Sequence, residues 1–139
     1  MRFMMLVKHA DKFSGPPPKE LLEAMQKLSQ DTRNGGTVLS SGGLAPMAAS
    51  TRVRLSQGKV TATDGPFAET KEVIGGYAVL EFSSKQAAVD GATQYMELHR
   101  KYWPGWEGET EVRQIFSPED YARDCAPSDA KPASVSRKS

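Results

Sequence analysis

Hydrophobic and polar positions along this chain change their period several times, and each change marks an element. From Phe3 to Val7 apolar residues fill both parities, with Phe3, Met5 and Val7 on one face and Met4 and Leu6 on the other, which predicts a strand covered on both sides. Beyond the breaker Gly15-Pro16-Pro17-Pro18, the residues Leu21, Leu22, Met25 and Leu28 recur at helical spacing, and Asn34-Gly35-Gly36 offers a helix stop. A first helix is therefore expected from Pro17 to Arg33, then a short strand over Thr37–Ser41. Thr51–Leu55 and Lys59–Thr63 alternate cleanly around Gln57-Gly58, the pattern of a hairpin with one wet face. Gly75 and Gly76 precede another strand, Tyr77–Phe82, again largely apolar on both faces. Ser83, three residues before Gln86, has the spacing of a capping box. Ala88, Ala92, Tyr95, Met96 and His99 then share one stripe of a second helix, which ends at Trp103-Pro104-Gly105-Trp106. Glu111–Phe116 predicts the last strand, and Ser117-Pro118-Glu119-Asp120-Tyr121 a short terminal turn or helix.

The order strand, helix, strand, hairpin, strand, helix, strand is a split βαβ pattern repeated once, with a β-hairpin inserted in the middle. It predicts an α+β fold whose two helices cover one face of a single sheet. The other face would then be bare, yet the central strands are apolar there as well. A second copy of the same sheet is the simplest cover, so a homodimer through the sheet face is expected. One domain spanning residues 1–122 accounts for the patterned part. The stretch 123–139, rich in Pro, Ser, Lys and Ala, has too little apolar surface to offset ordering entropy and is expected to be a disordered tail.

Composition narrows the choice of partners. Eighteen basic against 17 acidic residues leave a net charge of +1, so no global field draws the chain to phosphate backbones or anionic lipid. No nucleic-acid partner is expected, and no run of about 18 apolar residues points to a membrane span. The apolar opening stops at Lys8-His9 without a small-residue cleavage pattern and reads as a strand rather than a signal peptide. A lone cysteine, Cys125, cannot form an internal disulfide, which suits the reducing cytoplasm. Two distant histidines and one cysteine lack the spacing of a zinc site, and neither a phosphate-binding glycine loop nor a serine elbow is present, so no metal and no cofactor are expected.

The run Thr63-Asp64-Gly65-Pro66-Phe67-Ala68-Glu69-Thr70-Lys71-Glu72, followed by Gly75-Gly76-Tyr77, resembles the YCII-related family, in particular its subgroup named for the Asp-Gly-Pro-Phe motif. The opening Met1–Val7, the Val53-Arg54 strand and the closing Glu111-Val112-Arg113-Gln114-Ile115-Phe116 fit too, so the resemblance covers about residues 1–122. It implies a ferredoxin-like fold assembled as a dimeric α/β barrel. In the wider family a His and Asp pair is the proposed catalytic group, and one relative resembles a dehydrochlorinase of hydroxylated aromatics. Other relatives are encoded beside extracytoplasmic-function sigma factors, which implies a regulatory role.

Several side chains are candidates for chemistry on a small organic molecule. Asp64 at a strand end can exchange a proton or bind a hydroxyl, or it can simply shape an Asx turn. His9 shares parity with Phe3, Met5 and Val7, which sets a titratable ring at the mouth of the first strand, with Asp11 two positions on to orient it. Asp64 and His9 form the candidate catalytic pair for cofactor-free elimination, isomerisation or proton transfer. Phe67 is a candidate pocket wall. Glu69 and Lys71 belong to the family pattern and are candidate clamps for a polar ligand, or a solvated loop. Tyr77 follows the matched glycines and joins the ligand set on the same resemblance. Arg113 on the last strand is a candidate anion anchor, or one half of a cross-strand ion pair with Glu111. His99, beside Tyr95 and Met96, reads as a helix-packing histidine. Trp103 and Trp106 either line a pocket or interface or merely close their helix. The rival to catalysis is a non-catalytic sensing or docking module.

Overall fold

A computed structural model describes residues 1–13, 15–31, 36–68 and 72–124. In chain order the elements are β1 (Arg2–Ala10), a 3-10 turn (Asp11–Phe13), α1 (Lys19–Gln30), β2 (Thr37–Gly43), a second 3-10 turn (Met47–Ala49), β3 (Thr51–Ser56), β4 (Lys59–Asp64), β5 (Glu72–Glu81), α2 (Lys85–Tyr102), β6 (Gly108–Ile115) and α3 (Pro118–Asp124). The fold is α+β.

β1 is flanked by β5 and β6, both antiparallel to it, and β2 pairs antiparallel with the far edge of β5. The resulting sheet order, β2-β5-β1-β6, is the ferredoxin-like one, with each helix crossing between strands that are not adjacent. The sheet is open, and no barrel closes within the described residues. β3 and β4 pair only with each other, in the register Thr51↔Asp64 to Ser56↔Lys59.

Side-chain parity sets the two faces. Phe3 and Met5 of β1 stand opposite Leu80 and Ala78 of β5, and Met5 also opposite Val112 of β6; these residues meet Ala88 and Ala92 of α2 in the core. Small residues at 88 and 92 let the helix approach closely, and Phe82 meets Phe3 edge to face, ring centroids 6.3 Å apart. Phe82 also fills the space above Gly36 and Gly91, where any Cβ would collide with its ring. The opposite face carries Met4, Leu6, Tyr77 and Val79, all half-buried, together with Lys8, Glu111 and Arg113.

Several boundaries differ from the pattern-based expectation: α1 spans Lys19–Gln30 rather than Pro17 to Arg33, β6 spans Gly108–Ile115 rather than Glu111–Phe116, and three further differences stand out. β5 begins at Glu72, upstream of the glycines that were expected to precede the strand, because the ladder shifts register between Val7 and Lys8 and carries Gly75 as an extra residue on β5. The N-cap of α2 is Ser84 rather than Ser83: its backbone is extended and its hydroxyl accepts from the Ala87 N–H at 3.1 Å. α3 runs to Asp124, so residues 123 and 124 are helical, while the rest of the expected tail lies outside the described residues. No described helix is long and apolar enough to cross a membrane.

Candidate functional site

Between the sheet and the two helices lies a cavity of about 690 Å³. The reason for it lies in how differently the two helices seat on the sheet. α2 lays alanines on the sheet and sits close, whereas α1 offers Leu22 and Met25 to the space between the layers and buries only Leu21 completely. β2 and β5 add little bulk, since Ser41, Gly42, Gly43, Gly75 and Gly76 carry small side chains or none where they border the cavity. Small residues on the floor and one loosely seated helix leave the gap.

One end of the cavity is aromatic. His99 is buried with its ring 4.5 Å from Trp106 and 4.7 Å from Tyr95, and Trp103 stacks on Trp106 at 6.0 Å. His9, equally buried, and Phe13 approach the other edge of Trp106 at 6.3 and 6.4 Å. Tyr95, His99 and Trp103 follow at four-residue spacing along α2, which puts them on one helical face; the turn at Trp103-Pro104-Gly105-Trp106 folds the second indole back over the imidazole. His9 arrives from β1 because it keeps the parity of Phe3 and Met5.

The same burial tunes the titratable groups. His99 is held below the ordinary imidazole pKa by desolvation, against a smaller upward push from the Tyr95 carbonyl, so it is neutral near pH 7. Burial pushes the Tyr95 phenol upward, so it keeps its proton. Nδ1 of His9 lies 2.8 Å from the Ala10 carbonyl and Nδ1 of His99 lies 3.0 Å from that of Tyr95. A carbonyl only accepts, so in each ring Nδ1–H donates.

The candidates from the sequence are spread over three places. His9 borders the cavity; Tyr77 meets it at β5, although its place in the register, opposite Leu6, puts its side chain on the other face of the sheet. Asp64 does not: its carboxylate accepts from Thr51 Oγ1 at 2.8 Å across the exposed β3–β4 ribbon, and no hydrogen bond joins it to His9 among the described residues. Gly65 N–H donates to the Ser50 carbonyl at 2.8 Å, the Gly65–Pro66 bond is cis, and Phe67 lies under the Arg52 guanidinium at 4.0 Å. The Asp-Gly-Pro-Phe run thus closes the ribbon and clasps it. Arg113 stands exposed on the sheet face away from the helices, paired with Glu111, which also binds Lys8. That pairing holds the Glu111 carboxyl below its usual range, through Lys8 first and Arg113 second. Glu69, Lys71 and the side chain of Asp11 lie outside the described residues. Among the described residues, no three potential metal ligands cluster.

Sequence reasoning read His99 as a helix-packing histidine, which its buried place against Tyr95 and Trp106 fits, and left both tryptophans undecided; it did not bring these side chains to one cavity. The signal available was the four-residue spacing of Tyr95, His99 and Trp103, which continues past the helix into Trp106.

A sequence model of the YCII-related domain matches residues 1–96. The chain belongs to the YCII-related family. No match was found among curated proteins. The YCII-related span runs from β1 into α2 and takes in His9, Asp64 and Tyr77. It stops before His99, Trp103 and Trp106, so the aromatic end of the cavity joins one wall from the YCII-related match to a second wall beyond it.

Proposed function

We propose that this YCII-related protein binds a small organic molecule in the cavity between its sheet and its helices. The observation that supports this is the aromatic end, where two buried histidines face a mostly apolar chamber large enough for a molecule of metabolite size. Apolar walls supply the affinity and the imidazoles the orientation.

The test uses the protein's own optics. Trp103 and Trp106 are the chain's two tryptophans, and both border the cavity, so intrinsic fluorescence reports on this site alone. A library of fragment-sized aromatics is expected to yield binders that change the emission, and Leu22→Trp, which narrows the chamber from α1, is expected to weaken them. Binders unaffected by Leu22→Trp that leave the emission unchanged would remove the cavity from consideration.

Catalysis is the second reading, favoured by His99: an imidazole kept neutral by its surroundings is a proton acceptor at neutral pH. His9 is its neighbour across Trp106, and Asp64 belongs to the ribbon rather than to this chamber. Turnover of a bound fragment, lost in His99→Phe with binding retained, separates an enzyme from a sensing module tied to a regulator.

The Asp64-Gly65-Pro66-Phe67 run supports placing the chain in the subgroup that bears that motif. Met4, Leu6 and Val79 on the open sheet face support a homodimer in which two sheets form a dimeric barrel. A cytoplasmic location rests on the lone cysteine.

A further inference from the structure

The two cavity histidines share a feature that restricts what the site accepts. In each ring Nδ1–H is committed to a backbone carbonyl, Ala10 for His9 and Tyr95 for His99. Nε2 then carries the lone pair, and among the described residues neither Nε2 has a hydrogen-bond partner. Neither is sealed off. Thr110 Oγ1 is the one fully buried side-chain polar atom left without a partner among the described residues, so each Nε2 keeps some open surface; that of His9 packs beside Gly75, while His99 borders the cavity from α2.

We infer, resting on the cavity as a small-molecule site, that its ligand is a flat, uncharged molecule presenting an N–H or O–H donor to an imidazole Nε2. Three observations lead there. First, a ligand without a donor would strip water from the lone pairs and return nothing, the costly side of the hydrogen-bond balance. Second, no lysine or arginine borders the cavity among the described residues, so a carboxylate or phosphate would lose its hydration without gaining a counter-charge. The bordering carboxylate, Asp31, stands at the C-terminal end of α1 and already has a contact of its own, which leaves a cation equally unmatched at the aromatic end. Third, the planes of His99 and Trp103 lie within 20° of one another and those of Trp103 and Trp106 within 29°, a wall that favours a flat partner.

Four probes built on one ring decide the matter: indole, 1-methylindole, indole-3-carboxylate and tryptamine, titrated calorimetrically into the wild-type protein and into Leu22→Trp and His99→Phe. Indole is expected to bind, and its binding to weaken in Leu22→Trp. 1-Methylindole, the same ring without its donor, is expected to bind roughly three- to tenfold more weakly, the worth of one net hydrogen bond. The carboxylate and the ammonium are expected to bind more weakly than indole. In ¹⁵N spectra a histidine Nε2 resonance is expected to move with indole and to stay in place with 1-methylindole, and His99→Phe is expected to shrink the difference between the two. Equal affinity of indole and 1-methylindole, both lowered by Leu22→Trp, would overturn the donor requirement while leaving the cavity site standing. Tighter binding of either charged probe would overturn the neutral class. Absence of binding by all four at millimolar concentration would remove site and ligand class together. Should His99→Phe fail to fold, the wild-type series and its ¹⁵N shifts decide alone.

Discussion

The imidazole of His9 occupies the space that a side chain at position 75 would need. A Cβ placed on Gly75 would collide with His9 Nε2 and come within 2.8 Å of its Cδ2. The extra residue on β5 and the buried histidine on β1 are thus one device: the bulge makes room, and the ring fills it. Gly75→Ala is expected to lower stability by about 1–3 kcal/mol, the usual cost of overpacking, or to push His9 toward the cavity. Urea denaturation measures the first and the His9 resonances the second; an unchanged midpoint with an unmoved ring would contradict the fit.

Proton linkage follows from His99. Its folded-state pKa is lowered by burial, so the unfolded chain takes up the proton first as pH falls. The stability it contributes is full above about pH 6.5, the value of a free imidazole, and is lost as pH drops from there through the folded-state value. Denaturation midpoints at about pH 7.5 and about pH 5.5 should differ in that direction, and His99→Phe should flatten the difference. A midpoint that rises on acidification would run against the sign.

Within the Asp-Gly-Pro-Phe run, the glycine is expected to matter more than the acid. Asp64→Asn keeps an acceptor for Thr51 on an exposed ribbon and should cost less than about 1 kcal/mol, with cavity binding unchanged. Gly65→Ala forces a Cβ onto the Met47 carbonyl oxygen and to 3.0 Å from Ser50 Oγ, and should cost about 1–3 kcal/mol. Melting curves of the two variants give the order directly; loss of fragment binding in Asp64→Asn would return the carboxylate to the site.

The open face of the sheet makes a third kind of claim. If a second copy covers Met4, Leu6 and Val79, then Leu6→Glu sets a charge opposite Glu111 in the middle of that contact and should yield a folded monomer. Sedimentation velocity distinguishes the states, and a wild-type protein that stays monomeric at high concentration would end the proposal.

How far the sequence could be read depended on the range of the interaction. The two-sided apolar pattern of β1 and β5 and the stripe of α2 are local in their cause, and they led to the α+β fold and to the strands of the sheet. The capping serine was misplaced by one residue, since Ser83 and Ser84 are chemically equal and only the extended backbone at Ser84 selects it. Gly75-Gly76 looked like a break because glycine marks loops as often as bulges; what decides is His9, a residue 66 positions away that needs the space. His9 was placed correctly at the strand mouth by parity alone. The cavity was invisible, because an empty volume comes from what α1 and α2 fail to fill together, and no single segment encodes it. Asp64 looked chemical for the same reason it is useful to a turn: a short acceptor next to Gly and Pro serves either purpose.

The two helices hold the sheet unequally, α2 through Ala88, Ala92 and His99 and α1 through Leu21 as its one fully buried residue. Amide protons of α1 should therefore exchange with deuterated water sooner than those of α2, because lifting α1 exposes little apolar surface. Such breathing would admit a guest broader than the resting gap while the strands and the tryptophan wall stay in register.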